Sequence, residues 1–511
     1  MARAAAFLAF ACLLGCTVGL PLLVPLDSPS QGDITETDSR ETESTEIDST
    51  RVDTIFSKIR KINEGSNIPL TEGDIRVEMN RNVLNCPMSQ CFWPISIDGR
   101  VRVPFVFSDV YDDGDIKVVL AGMQEFTTLT CVDFVPRSTE TDYLKMVSGS
   151  GCWSYIGRIG GVQPVTLTPG SCMVQGIIEH ELMHNLGFNH ESNRKDRDNY
   201  VDVMWQYLSK GDQGNFDKRI DGNTLGLPYD YSSVMHFDSF AYSNTSGKKT
   251  VIPKPDPTIP IGQRYGLSNL DVAKVNKLYN CNLCRSLLSD PSGSFASTEK
   301  TSQFQNEGSC LWLIRIPKDK IFLWFNDFNL LSSDGCRSSY LRVYDGKQTT
   351  SPVLLDSTCG LRSVPSLISS GNSMLVEFVY NGPLGSQQFS AAYNAVQCGG
   401  SYTNVTGGTI ASPNFPKKYP PSTDCIWTIV APMGYTVSLS FIAFSLERQP
   451  SCGGDYLSIY DDGKPASPLV STYCLNSPGT ITSVGNTLRL QFHSDAYLQF
   501  GGFLAAYTFI S

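Results

Sequence analysis

The chain has 511 residues, 41% of them hydrophobic and 18% charged, and a formal net charge of −10 at pH 7. That length exceeds what one hydrophobic core supports, so several domains are expected. No basic stripe or nucleic-acid motif appears, so no nucleic-acid partner is expected, and after the first residues no run is apolar for long enough to span a bilayer.

Residues 1–19 read as a secretory signal: Arg3, then the apolar run from Ala4 to Leu14, then small residues. The C-terminus lacks the apolar tail of a lipid-anchor signal, so a soluble, secreted, extracellular product is expected. Cys12 and Cys16 fall within the signal, which leaves fourteen of the sixteen cysteines, an even number suited to disulfides. Two sequons, at Asn244 and Asn404, are candidate glycosylation sites in polar, turn-like stretches. Residues 20–81 differ in kind. Their stretch 33–53 is dense in Asp, Glu, Ser and Thr and nearly empty of large apolar side chains, a composition that cannot bury a core.

The most informative run is His180-Glu181-Leu182-Met183-His184-Asn185-Leu186-Gly187-Phe188-Asn189-His190-Glu191. Three of the chain's five histidines lie in it. His180 and His184 are i,i+4, so on a helix their imidazoles leave one face a turn apart. Gly187 can take φ > 0, end the helix and swing the chain back, which brings His190 in as the third ligand. Three neutral imidazoles leave one zinc position open, the pattern of a catalytic site. Zinc in such a set makes water a nucleophile near neutral pH, and Glu181 is placed to act as general base. A closed structural zinc site would usually hold cysteine, and none lies between Cys172 and Cys281. Downstream, Ser233-Val234-Met235-His236 fits the methionine turn that accompanies such motifs, with Met235 as its methionine.

Residues 82–281 resemble the catalytic domain of the astacin family. The resemblance rests on these two motifs, on Gly157-Arg158-Ile159-Gly160-Gly161 and on Arg194-Lys195-Asp196-Arg197-Asp198-Asn199-Tyr200. It implies an α+β metzincin-type zinc endopeptidase with His180, His184 and His190 as ligands. One position departs from the family pattern. Two residues after the turn methionine, where astacins usually carry an oxyanion-stabilising tyrosine, stands Phe237. Losing such a donor typically costs about 10²–10³ in turnover. Tyr242, five residues on, is a substitute only if it points inward from a different place. The resemblance makes Glu191 a contact for the buried N-terminal region of the mature enzyme. With the three-histidine set already complete, His236 reads as a packing and hydrogen-bonding residue rather than a ligand.

The same family gives the acidic stretch a role. Leu70-Thr71-Glu72-Gly73-Asp74-Ile75 resembles the astacin inhibitory segment, which implies a propeptide over 20–81 with Asp74 in the open zinc position. Cleavage between Arg81 and Asn82 by a trypsin-like protease would release the enzyme, and Arg76 is a second possible site. Cys86 and Cys91, just before Phe92-Trp93-Pro94, resemble the extra loop of the hatching-enzyme branch. The resemblance pairs Cys86 with Cys91, Cys131 with Cys281 and Cys152 with Cys172. Closing the long Cys131–Cys281 loop contributes about 4–5 kcal/mol in the chain-entropy picture.

The C-terminal part is a repeat. Cys284, Cys310, Cys336 and Cys359 recur roughly 115 residues later as Cys398, Cys425, Cys452 and Cys474. Short alternating strands broken by Gly, Pro, Ser and Asn predict two all-β sandwiches. They resemble CUB domains, over 284–396 and 398–511, with pairs Cys284–Cys310, Cys336–Cys359, Cys398–Cys425 and Cys452–Cys474. The second copy resembles calcium-binding members through Glu447, Asp455 and Asp495, with Tyr419 in support. These are hard oxygen ligands suited to Ca²⁺. The first copy has Leu331, Ser339 and Asn381 in their place, so calcium is expected in the second copy only.

The whole reads as signal, propeptide, zinc endopeptidase and two CUB domains, resembling amphibian-type hatching enzymes that act on egg-envelope glycoproteins. Two alternatives stay open: another extracellular astacin that processes matrix or growth-factor precursors, and a CUB-based envelope-binding protein with weak protease activity.

Overall fold

The computed structural model describes residues 54–76, 91–220, 222–263, 265–298, 307–317, 319–382, 387–403, 407–461 and 469–511. The expected signal, the Arg81–Asn82 cleavage site, Cys86 and the Asn404 sequon lie outside the described residues.

The first described element is helix α1 (Ile55–Asn63). Thr54 opens it with a capping box shared with Ser57, which satisfies two otherwise orphaned N–H groups. Its apolar side chains Ile55, Phe56 and Ile59 are buried. A two-stranded hairpin follows, β1 (Leu70–Thr71) and β2 (Ile75–Arg76), antiparallel. Its turn passes through Glu72 at φ 55° and Gly73 at φ 99°.

The protease sheet holds β3 (Val101–Phe107), β4 (Val132–Pro136), β5 (Tyr143–Val147), β6 (Cys152–Trp153) and β7 (Val162–Leu167) in the order β4-β3-β5-β7-β6. All neighbours are parallel except β6, which runs antiparallel on the edge. Helix α2 (Asp113–Leu129), capped by Asp112, packs against α3 (Gln175–Asn185). The approach is close: a Cβ on Gly122 would lie 2.9 Å from the Ile178 side chain. Every residue of α3 from Gly176 to Asn185 is buried, so this helix is covered on all sides and has no solvent face. Helix α4 (Asn269–Leu278) begins with a second capping box, between Ser268 and Asp271. Disulfides join Cys131 to Cys281 and Cys152 to Cys172.

Two β-sandwiches follow, each made of a five-stranded and a four-stranded sheet. Their registers match. Cys284 pairs with Cys310 in a parallel strand pair of the first, and Cys398 with Cys425 in the second. Disulfides link these pairs and also Cys336–Cys359 and Cys452–Cys474. The modules are not loosely strung. Leu287, Leu311, Leu313, Tyr344 and Leu375 of the first sandwich belong to the same buried cluster as the protease core. Arg315, nearly fully buried, bonds the Glu125 carboxylate of α2 and the Leu267 carbonyl. Lys347 reaches Glu125 at 3.1 Å and Gln175, the first residue of α3, at 2.9 Å. The two sandwiches meet through Phe322, Ile368, Val396 and Ile426. Among the described residues no helix is long and apolar enough to cross a membrane.

Candidate metallopeptidase centre

Helix α3 carries His180 and His184 on one face, as their spacing requires. Gly187, at φ 105°, ends it, and the Phe188 N–H returns to the Met183 carbonyl. A side chain on Gly187 would also strike the Phe92 ring at 2.7 Å, so glycine is needed there twice over. The returning chain brings the His190 ring to 5.2 Å from that of His180 and 4.9 Å from that of His184.

Each imidazole is anchored through Nδ1. That of His180 donates to the Val234 carbonyl at 2.8 Å, and that of His184 to the Phe188 carbonyl at 2.8 Å. His190 Nδ1 lies 2.9 Å from Glu72 Oε2. Such bonds fix the tautomer and turn the Nε2 lone pairs to one point. The Val234 carbonyl is itself held in place, because Asp271 accepts from the Ser233 hydroxyl at 2.6 Å and from the Val234 N–H at 2.8 Å. The cap of α4 thus fixes the turn that carries Met235, which is buried.

Asp74 stands at that point. Its Oδ2 is 2.9 Å from His180 Nε2 and 3.4 Å from His190 Nε2, and its Oδ1 is 3.4 Å from His184 Nε2. All four side chains are buried, with ligating atoms within 4.8 Å of one another. Asp74 Oδ1, His184 Nε2 and both Glu181 oxygens are buried with no hydrogen-bond partner. Orphaned atoms this deep are costly unless something binds them. Three nitrogens and one oxygen in this arrangement fit a four-coordinate zinc ion. Burial opposes the Asp74 charge, yet the three imidazoles hold its carboxyl well below the usual range. Burial, then the Asp74 charge, pushes Glu181 well above its ordinary value. Burial lowers His184 to about 4. His190 rises to about 9, because Asp74 and Glu72 outweigh its burial.

Residues 74–76 enter this cleft as an added strand. The Arg76 N–H donates to the Ser154 carbonyl at 2.8 Å, and the Ser154 N–H to the Asp74 carbonyl at 3.1 Å, next to edge strand β6. Arg76, the second possible cleavage site, is held by these bonds. Asn63 of α1 ties the same region together through the Gly73 and Cys152 carbonyls and the Cys152 N–H.

Phe237 is fully buried, with its ring 4.8 Å from that of His190 and 4.2 Å from that of Phe56. Tyr242 does point inward. Its ring lies 6.0 Å from Phe237 and 5.8 Å from Phe56, and its buried hydroxyl has no partner. Burial, then the charge of Asp74, pushes that phenol well above its ordinary value. Glu191 accepts from Arg194 at 3.0 Å, Lys274 at 2.9 Å and the Asp230 N–H at 2.8 Å. The N-terminus expected to meet it lies outside the described residues. His236 stands apart from the ligand group, with Nε2 2.7 Å from the Tyr229 hydroxyl. Asn244 lies on an exposed turn.

Sequence reasoning missed Glu72 and Phe56. Glu72 is buried and bonds both His190 and Arg219. A clue was present: it sits two residues before Asp74, so a tight turn can bring both carboxylates to one cluster.

In the second sandwich Glu447, Asp455 and Asp495 converge, with ligating oxygens within 4.8 Å. The Tyr419 hydroxyl donates to Asp455, and the Asp495 N–H donates to Asp455 Oδ1 at 2.8 Å. The cradle is tight, since a Cβ on Gly454 would collide with Glu447 Oε2. In the first sandwich Ser339 closes on Asn381: its hydroxyl accepts the Asn381 N–H at 3.0 Å and donates to the Asn381 carbonyl at 3.3 Å. Leu331 is partly exposed and brings no ligand atom.

Three anchored imidazoles, a neighbouring carboxylate and an edge strand open to an extended chain define a zinc metalloendopeptidase. Family models agree with the fold. Residues 93–280 match the Astacin peptidase family, and residues 284–393 and 398–507 match the CUB domain. The chain is similar to Embryonic protein UVS.2 of Xenopus laevis, 42% identical over 458 residues, covering 89% of this chain and 88% of that protein. It is 45% identical over 371 residues to the Astacin-like metalloendopeptidase of Coturnix japonica, covering 73% of this chain and 87% of that one. Among solved structures, High choriolytic enzyme 1, a hatching enzyme zinc-protease from Oryzias latipes, matches at 44% identity, 39% of this chain and 100% of its own, with a TM-score of 0.38. The chain belongs to the astacin family of metalloendopeptidases and carries two CUB domains.

Proposed function

We propose that the chain is a secreted, latent zinc endopeptidase that, once cleaved at Arg81–Asn82, hydrolyses extracellular glycoproteins, in the first place the egg envelope at hatching. The observation that carries the latency is Asp74 seated among the three Nε2 atoms. His180, His184 and His190 would hold the zinc, with Met235 in the turn beneath them. When bound, zinc supplies Lewis acidity for the scissile carbonyl and the attacking water. Glu181 takes the proton of that water and passes it to the leaving amine. The Ser154 N–H and carbonyl, now bonded to the prosegment, become free to bind a substrate strand in its place.

Six disulfides among the described residues support an oxidising compartment. The embryonic relative, aligned over 88% of its length, supports the developmental setting, as does the Cys86/Cys91 loop. Glu447, Asp455 and Asp495 would hold Ca²⁺ and present the second CUB domain to a protein partner, with Asn244 and Asn404 as glycan sites.

Purified precursor, activated with trypsin, tests this on isolated egg envelopes. Release of soluble glycopeptides by the wild type and not by Glu181→Ala is expected. Envelopes left intact by an enzyme that cleaves other matrix proteins would overturn the substrate. In the precursor, Asp74→Ala should give peptidase activity without cleavage. A silent Asp74→Ala precursor would contradict the role of Asp74.

A further inference from the structure

The cleft holds a base and three imidazoles, but Phe237 cannot donate a hydrogen bond to charge that develops on the substrate. Among the described residues the orphaned buried hydroxyls are those of Ser108, Tyr242 and Tyr380. Only Tyr242 lies at the cleft. A Cβ built on Gly73 would be 2.5 Å from its oxygen, and the next residue, Asp74, occupies the centre of the histidine cluster. The Phe56 ring touches both ends of the intervening space, at 5.8 Å from Tyr242 and 5.6 Å from His190. Phe56, Gly73 and Asp74 all belong to the prosegment. Gly73 and Phe56 thus stand between the phenol and the histidine cluster that Asp74 fills. A buried hydroxyl left without a partner is disfavoured in a finished structure, which fits a group that acquires its partner only in the mature enzyme.

We infer that the Tyr242 hydroxyl is the oxyanion donor of the mature enzyme, in place of the hydroxyl that Phe237 lacks. It donates a hydrogen bond to the oxygen of the scissile carbonyl as that oxygen gains charge. No proton is transferred, and the hydroxyl returns unbonded when the product leaves. Tyr242 is therefore a catalytic residue, and the inference rests on the peptidase reading above.

The test uses trypsin-activated full chain: wild type, Tyr242→Phe, Phe237→Tyr, the double exchange and Glu181→Ala. Two quantities are read: kcat and KM on a quenched fluorescent peptide, and calorimetric affinity for a phosphinic pseudopeptide, whose anionic oxygen stands for the charged carbonyl oxygen. Tyr242→Phe should lower kcat by about 10²-fold with KM within about twofold, weaken the phosphinic peptide in parallel, and be rescued at least about tenfold by the double exchange. Melting of its precursor should not fall, since the hydroxyl has no partner to lose there. Unchanged kcat and unchanged phosphinic affinity in Tyr242→Phe would overturn the inference, as would a loss confined to KM. If the wild type were no faster than Glu181→Ala, the peptidase reading itself would fail, a result distinct from either.

Discussion

The two CUB sandwiches share a register and a disulfide plan, yet they have diverged in what they hold. The first has Leu331, Ser339 and Asn381 where the second has Glu447, Asp455 and Asp495. Where the second presents converging carboxylates, the first closes Ser339 on the Asn381 backbone. The first instead directs its charge at the protease, with Arg315 and Lys347 set around Glu125 of α2, beside the start of the zinc helix. Glu179, also buried there, is raised to about 8 by burial and then by Glu125. Duplication thus left one copy as part of the protease scaffold and the other with a cluster suited to a hard cation. A shared strand plan says nothing about which task a copy performs; a few side chains at its ends decide that.

The largest effect should come from breaking the scaffold copy. Arg315→Ala leaves Glu125 buried with a weakened partner set, and removing one member of a buried ion pair costs about 3–5 kcal/mol. Urea unfolding of the precursor should show this as a clear fall in midpoint, and an unchanged midpoint would detach the first CUB domain from the protease fold. A smaller effect is expected in the second copy. At calcium about 100 times its Kd, binding would add about 2.7 kcal/mol, so calcium should raise the melting temperature of the wild type and not of Asp455→Asn. Equal response in both would remove the calcium assignment. The smallest effect is a gain. Leu331→Glu, Ser339→Asp and Asn381→Asp together should give the first copy weak calcium binding by calorimetry. No binding would show that the Tyr419 and Gly454 surroundings matter as much as the carboxylates.

How much was legible in the sequence followed from spacing. His180, Glu181, His184 and His190 lie within one helix and its return, so local periodicity placed them. The CUB copies could be read against each other, which exposed the acidic trio. Asp74 was legible only through a motif resemblance. Glu72 left only the clue of its place two residues before Asp74, and Arg315 left none. They meet partners 118 and 190 residues away, and a single carboxylate or guanidinium on a strand or turn carries no periodic signal of what it will face. Phe56 was equally silent, because an apolar residue on a short amphipathic helix looks the same whether it fills a core or plugs a cleft. The direction of Tyr242 was also a tertiary matter: its ring is buried against Phe56 and Phe237, and no pattern of neighbours announces that.

The three anchored histidines, freed of Asp74, would hold the zinc of an endopeptidase. Hydrolysis of a quenched fluorescent peptide by the trypsin-activated chain tests it most directly, with a chelator, zinc restoration and Glu181→Ala alongside. No activity is expected before cleavage, and activity after it. That activity should be lost to the chelator, recovered with zinc and reduced about 10²–10⁴-fold in Glu181→Ala. Cleaved, zinc-loaded protein no faster than Glu181→Ala would contradict it.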